Sequence, residues 1–593
     1  MSIVTGIVAL TEAKTLSLTK TPTLNKNLPQ RLADFSTLTE GLEYAAQGVT
    51  GFNFYSGRGV LEHVLSYADL RRRALVLARK LMSTGLQRLG RVAIVAETGP
   101  DFIITFFACQ YAGLVPCPIP YSMYIGGREA YEQRIAGMLR AADAHAVVAP
   151  ADQVDSIRVA AAIADVNLVL THDELAAKPE SISRLQGFGP SDVAYIQYSS
   201  GSTSAPKGVL ITQSSIMANA HGILAFGNET KPTDRGCSWL PLYHDMGLVG
   251  FCISPMLSQS SLDYLATTAF ARRPGLWLKL ISDNRCTISF SPSFGYDLAA
   301  RRLAAGDIAQ LDLSCWRNAG IGGDMVRSDV LRRFAEAMAP ARLAPNVFLP
   351  SYGMAEFTLA MTFPKAGSAL KVDYVDGDAI KAQRAVSVAA DVLGARGFVV
   401  CGRIMAGHEL HVRGPDGALL GEREVGVIYV KGPSLMAGYF HDAAATAECI
   451  GADGFLNTGD MGYLLDGEIV ITGRVKDLIL HNGRNIWPQD IEWAAEKYNA
   501  LKSGDVAAFA VEYEDGNDEV VVLVECRLQD AVTQNELRRD VGKLVHQGSG
   551  VDCTIVLVAP KSLPFTSSGK LSRTAARAKY LSGEMTLIAP ASA

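Results

Sequence analysis

The chain has 593 residues, 48% of them apolar and 19% charged, with a formal net charge of -5. That length is too great for one core and suggests roughly three to five units; the apolar content is ample for a globular enzyme, and the acidic balance gives no electrostatic case for nucleic acid or an anionic membrane surface. Ten cysteines, without a C-x-x-C pair or regular spacing, argue against a disulfide framework and a structural zinc site and fit a reducing cytoplasm.

Residues 1–30 carry Thr, Lys and Pro with little periodicity and read as an extended lead. The first ten residues have a short apolar run but no basic region, and Glu12 follows before any cleavage-like pattern, so no signal peptide is expected. From Leu32 the chain reads as globular. Residues 91–97 predict a strand, Asp101 after Pro100 a helix N-cap, Gly113 the helix stop, and 115–118 the next strand, so a β-α-β unit is expected to open the fold. The most membrane-like window, 102–118, contains Gln110, Gly113, Pro116 and Pro118 and reads as a buried helix followed by a buried strand. A helix over 131–142 and strands over 146–149, 167–170 and 193–198 continue the alternation.

The stretch from Tyr198 to Val209, Y-S-S-G-S-T-S-A-P-K-G-V, packs five Ser/Thr hydroxyls, two glycines and Lys207 behind a strand. Glycines admit a phosphate close to the backbone, hydroxyls add donors and the lysine adds charge, so the stretch reads as an anion cradle or as an ordinary polar loop. It lacks the Gly-Lys-Ser/Thr order of a P-loop. A helix over 214–226 and strands over 236–240, 287–291, 316–321 and 347–351 follow, each strand running into a Gly-, Ser- or Pro-bearing loop, where open α/β sheets bind ligands. After about Gly397, short strands at 408–412, 425–431 and 468–472 predict a small all-β subdomain. Beyond Lys476, helices over 488–498 and 533–545 alternate with strands over 506–512, 519–525 and 554–557, a piece of domain size.

Five further stretches then align with the cradle: S-Y-G-M-A-E-F-T from Ser351, N-T-G-D from Asn457, G-R-V-K-D from Gly473, N-G-R-N-I from Asn482 and P-F-T-S-S-G-K ending at Lys570. In this order they resemble the adenylate-forming superfamily of acyl-CoA synthetases, luciferases and peptide-synthetase adenylation domains. W-L-P-L-Y-H-D-M-G-L from Trp239, the Gln197-Tyr198 entry to the loop, V-P-C-P-I-P from Val115 and the long interval between Thr358 and Cys401, with an insertion somewhere within 359–399, are similar to the fatty acyl-AMP ligase branch.

That resemblance implies an α/β fold: a large N-terminal body over 31–475, with two α/β subdomains and a small β subdomain over about 397–475, and a smaller mobile α+β C-terminal lid over 476–593. It implies ATP-dependent activation of a medium- or long-chain fatty acid to acyl-AMP, then transfer to the phosphopantetheine thiol of an acyl carrier protein or a synthase carrier domain in trans. Fatty acyl-CoA synthetase is the alternative, and a non-enzymatic binding homologue is disfavoured by the retained charges. ATP and Mg²⁺ are the expected cofactors. Ser200, Gly201, Ser202, Thr203 and Lys207 would hold the phosphates, and Glu356 the magnesium. Ser351, Tyr352 and Gly353 would flank adenine, Asp460 and Arg474 the ribose. His244 would shape the carboxylate position, Lys570 would bridge carboxylate and α-phosphate, and Lys476 would be the hinge. Phe251, Phe290, Pro292, Tyr296, Ala319 and Ile321 are candidates for the acyl tunnel or for core.

Overall fold

The computed structural model describes residues 24–121, 127–199, 206–481, 484–512, 518–565 and 571–589. The expected lead over 1–30 lies mostly outside the described residues.

A seven-stranded sheet crosses the body in the order Phe348–Pro350, Asn318–Ile321, Ile288–Ser291, Arg235–Ser238, Ser261–Leu265, Gly51–Tyr55 and Leu61–Ser66, parallel except at the last, antiparallel edge strand. A second, all-parallel sheet runs Val115–Ile119, Arg91–Val95, Ala146–Ala149, Leu168–Thr171. The strands at 235–238, 288–291, 318–321 and 348–350 and all four of the second sheet correspond to strands read from the sequence, whereas Gly51–Tyr55, Leu61–Ser66 and Ser261–Leu265 do not; the four strands of the second, parallel sheet are mostly buried, as parallel strands covered on both faces are.

The expected β-α-β unit is present, but it does not open the fold. The hairpin Gly51–Tyr55/Leu61–Ser66 and the helix Tyr67–Met82 precede it; the edge strand of that hairpin, L-E-H-V-L-S, is largely exposed and mixes apolar with polar residues, so it carries no continuous apolar run to read. The unit's helix, Pro100–Ala112, starts at Pro100 with Gly99 as N-cap, and Asp101 lies inside the first turn. Proline is favoured at the first helical position because its missing N–H has no partner there. Gly113 ends the helix in the left-handed region with φ 69°. Phe102 through Ala112 are all buried, and among the described residues no helix is long and apolar enough to cross a membrane.

The residues after Gly397 form a four-stranded antiparallel sheet, Glu409–Arg413, Gly426–Lys431, Leu456–Leu465 and Glu468–Arg474. It is not all-β, since the helix Ala443–Cys449 sits within one connection. The 359–399 interval holds a hairpin, Val372–Asp376 with Ala395–Val399, closed over the short helix Gly377–Lys381. The smaller C-terminal unit packs Pro488–Ala495, Ala531–Ser549 and Arg573–Leu581 around the sheet Val506–Glu512, Asp518–Glu525, Thr554–Val558, with apolar clusters of its own.

Candidate active site

The strand Val193–Ser199 turns back antiparallel as Lys207–Thr212, with Ser199 opposite Lys207. The cradle is therefore the connection of a β-hairpin and not a strand-to-helix P-loop; Ser200, Gly201, Ser202 and Thr203 lie outside the described residues. Gly438–Tyr439 pairs along the outer edge of Lys207–Thr212. This places the Lys207 ammonium 4.8 Å from the Tyr439 ring centroid, a cation–π contact. The Tyr439 hydroxyl in turn donates to Glu356 Oε1 at 2.9 Å.

Glu356 sits in the short turn Ala355–Phe357. That turn is pinned where the Met436 amide donates to the Glu356 carbonyl at 3.0 Å and the Thr358 hydroxyl donates to the Ser434 carbonyl at 2.7 Å. Glu356 is 8% exposed, and burial pushes its carboxyl pKa up against the Tyr439 hydroxyl and the Arg474 charge. A carboxylate so desolvated is favoured by a neighbouring cation. Among the described residues no three metal-ligating side chains converge, so the fit is to a hard cation held by one carboxylate with phosphate oxygens and water supplying the rest.

Asp460 and Arg474 face one another across the antiparallel pair Leu456–Leu465/Glu468–Arg474. Arg474 Nε donates to Asp460 Oδ1 at 3.1 Å, and the Tyr352 hydroxyl donates to Asp460 Oδ2 at 2.7 Å. Burial, then the Asp460 charge, raises the Tyr352 phenol well above its ordinary value. Tyr352–Gly353 pairs with Ala360–Phe363; a Cβ on Gly353 would overlap the Leu359 carbonyl oxygen, so only glycine fits there. Ser351 donates its amide to the Ile321 carbonyl at 2.7 Å, continuing the central sheet into the site.

His244 caps the short helix Asp245–Leu248, with its Nδ1 2.6 Å from Asp245 Oδ1. Asp245 Oδ1 also accepts the Met246 amide at 2.7 Å. His244 borders two cavities, each of about 450 Å³. The first is lined by Lys207, Glu356, Tyr352, Arg474 and Lys476 and also by Phe251, Phe290 and Phe363. The second lies between the body and the C-terminal unit, where Trp239, Arg327, Asp460, Trp493 and Arg573 line it.

Most of the sequence-predicted residues are therefore brought together: Lys207, His244, Ser351, Tyr352, Gly353, Glu356, Arg474 and Lys476 line the first cavity, and Asp460 is bonded to two of them. Lys476 lies in the turn Val475–Asp477, between the last strand of the antiparallel sheet and the C-terminal unit. Lys570 and the Asn482-Gly483 pair lie outside the described residues. Of the tunnel candidates, Phe251 and Phe290 line the first cavity and Pro292 the second. Tyr296, Ala319 and Ile321 are fully buried core; Tyr296 packs among Trp277, Trp316 and Phe334 and donates to the Gly320 carbonyl at 2.9 Å.

Two features escaped the sequence reading. Tyr439 links the lysine to the glutamate, yet a lone tyrosine in a Gly-flanked loop carries no pattern. The segment expected to be helical over 214–226 is a helix only over Gln213–His221 and then widens into a π-type turn, Gly222–Gly227; a second such turn is Val249–Ile253. Both turns present residues to the first cavity, Ile223 from one and Gly250 and Phe251 from the other, as π-type insertions often do at functional sites.

A family model described as AMP-binding enzyme matches residues 54–440. The chain is 47% identical over 560 residues to a Caulobacter vibrioides protein named provisionally an acyl-CoA synthetase, covering 93% of this chain and 96% of that one. It is 31% identical to the medium-chain fatty acid–acyl carrier protein ligase JamA of Moorena producens, with 93% and 96% covered. A solved structure from a study of fatty acyl-adenylate ligases of E. coli and L. pneumophila superposes with TM-score 0.90 at 42% identity, covering 94% of this chain and all of that one. The chain thus belongs to the AMP-binding, adenylate-forming enzymes, and within them it groups with the fatty acyl-AMP ligases.

Proposed function

We propose that this protein activates a medium- or long-chain fatty acid with ATP and hands the acyl group to a carrier thiol. A carboxylate oxygen attacks the α-phosphorus, the bond to the β-phosphate breaks, and pyrophosphate leaves; a phosphopantetheine thiol then attacks the acyl carbon and AMP leaves. Such chemistry asks little covalent help of side chains and depends on positioning and charge. The observation that carries the reading is one cavity whose lining combines a cation–carboxylate–tyrosine set with phenylalanines. That is the lining an amphiphile joined to a nucleotide requires.

In this reading Ser200, Gly201, Ser202, Thr203 and Lys207 grip the departing phosphates. Ser351, Tyr352 and Gly353 form the adenine wall, and Asp460 with Arg474 holds the ribose. Glu356 holds Mg²⁺, which supplies charge neutralisation at the phosphates. His244, tied through Nδ1 to Asp245 where the two cavities meet, orients the fatty carboxylate. Residues 31–475 act as the body and 476–593 as a lid that turns about Lys476 and delivers Lys570 to the α-phosphate. Ten cysteines free of disulfides accord with work in a reducing cytoplasm.

Pyrophosphate release with a panel of fatty acids, followed by loading of holo carrier protein and of coenzyme A, tests the reading. Fatty-acid-dependent release with transfer to the carrier is expected. The 47% identical relative's name keeps acyl-CoA synthesis as the second reading, and rapid acyl-CoA formation would establish it. Lys570→Ala is expected to lower acyl-AMP formation by about 10²- to 10³-fold while ATP binding survives, measured by single-turnover release beside equilibrium ATP titration.

A further inference from the structure

Asn228 is a buried amide in an apolar part of the first cavity. It follows the π-type turn Gly222–Gly227 and is 7% exposed. Its backbone is tied on both sides: the amide donates to the Ile223 carbonyl at 2.7 Å, and the carbonyl accepts from Asn318 Nδ2 at 2.9 Å. Its side-chain Oδ1, by contrast, has no hydrogen-bond partner although it is buried, and the residue lines the cavity beside Ile223 and Phe363. Gln197 lines the same cavity and its Oε1 is likewise unpaired, but it belongs to the strand Val193–Ser199 that leads into the cradle, and its Nε2 donates to the Tyr243 carbonyl at 2.8 Å, so Asn228 is the unpaired amide set apart from the polar end. An unpaired buried amide oxygen carries a free-energy cost that a ligand donor would relieve.

The depth of Asn228 follows from the sheet. Asn318, which holds its carbonyl, begins the strand Asn318–Ile321, and the other end of that strand runs into Gly322 and Gly323, which line the cavity together with His244 and Ser351. Four residues of strand at ~3.3 Å each put Asn318, and with it the Asn228 carbonyl that it holds, roughly 13 Å from the Gly322 end of the strand. An extended alkyl chain of carbon–carbon bonds near 1.5 Å covers that distance in about ten carbons. Phe290 and Phe251, edge to face with ring centroids 5.8 Å apart, line the cavity along the way.

We propose that Asn228 reads a hydroxyl on the acyl chain, and that the acid this enzyme activates carries an oxygen substituent roughly eight to twelve carbons from its carboxyl group. The inference rests on the fatty-acid reading above and narrows its substrate class. An amide both accepts and donates, so one hydroxyl satisfies it, whereas a plain alkyl chain leaves Oδ1 stranded. Sites built to pair a substrate hydroxyl discriminate against the analogue lacking it far better than apolar pockets discriminate chain length.

The test is kcat/KM for pyrophosphate release with decanoic, 10-hydroxydecanoic and 3-hydroxydecanoic acids, on wild type and on Asn228→Leu. Wild type is expected to favour 10-hydroxydecanoic over decanoic acid by about tenfold or more, the worth of one buried hydrogen bond, with no gain from the 3-hydroxyl. Asn228→Leu is expected to reverse the ratio toward decanoic acid. A wild-type ratio within twofold of unity would overturn the proposal by itself, whatever the variant's folding, and so would a hydroxyl preference that persists in Asn228→Leu. Turnover of decanoic acid equal to that of its hydroxylated form sinks this inference alone; absence of turnover with every acid sinks the fatty-acid reading along with it.

Discussion

At the scale of single residues, Asp460 is a structural carboxylate that the proposed function also assigns to the ribose. It accepts Tyr352 on Oδ2 and Arg474 on Oδ1, and a carboxylate has about four lone-pair sites, so about two are left for a sugar. Asp460→Asn keeps the shape but loses the charge that strengthens these bonds. The expected result is a KM for ATP raised about ten- to a hundredfold, one or two charged hydrogen bonds, with the fatty-acid KM little changed; a merely structural role would lower the melting temperature and leave both KM values alone. His408 offers a pH signature away from the cavity. Its Nε2 lies 2.7 Å from the Ser434 hydroxyl oxygen and its ring 5.3 Å from that of Phe357, and burial lowers its pKa below the ordinary 6.5. The folded protein thus binds this proton more weakly than the unfolded chain. The histidine's stabilising contribution is full above pH 6.5 and is lost as pH falls through 6.5 toward the folded pKa. Melting curves near neutrality and about one to two pH units below it should show a fall in wild type that is partly absent in His408→Gln, whose amide still reaches Ser434.

At the scale of elements, Gly353 is the point where two strands press hardest. Because a β-carbon at this position would collide with the Leu359 carbonyl oxygen, Gly353→Ala must separate Tyr352–Gly353 from Ala360–Phe363. A destabilisation of about 1–3 kcal/mol is expected, read as a lower melting temperature, together with weaker ATP binding because Tyr352 rides on the displaced strand. The strand exits that build this region were legible in the sequence because parallel strands buried on both faces are short apolar runs that stop at glycine, serine or proline. Residues 146–149 and 506–512 match the observed strands to the residue. The charged candidate residues were legible through their motifs, and the structure gathers Lys207, Glu356 and Arg474 into one cavity. What was not legible has physical reasons. The edge strand Leu61–Ser66 is mostly exposed and lacks a run; the strand Lys207–Thr212 begins inside a polar loop; the π-type turns keep helical composition while changing which side chains face the cavity. Tyr439 comes to Glu356 across 83 positions of sequence, a proximity that only the tertiary fold creates.

At the scale of the whole molecule, the C-terminal unit is seated on the body by buried ion pairs. Arg327 reaches Glu496 at 2.5 Å and lies over the Trp493 ring at 5.2 Å. Arg396, on the hairpin within 359–399, reaches Asp490 of the helix Pro488–Ala495 at 2.5 Å, their side chains 15% and 17% exposed. Burial is the largest influence on both members of the second pair, pushing the Asp490 carboxyl up and the Arg396 guanidinium down. Burial thus opposes the charge on both partners, so the pair is weak evidence of stabilisation, and fixing how the two surfaces fit is the role to be tested. Two variants separate these effects. Arg396→Ala strands a buried carboxylate and should cost about 3–5 kcal/mol, seen as a lower melting temperature and faster proteolysis near Lys476. Arg396→Met combined with Asp490→Leu removes both charges and retains apolar packing beside Phe398 and Trp487, so it should recover most of that loss. Because the double variant keeps the surfaces together but releases their register, its adenylation rate should fall further than its stability does. Equal losses in the single and double variants would instead make the pair's attraction the source of the seat.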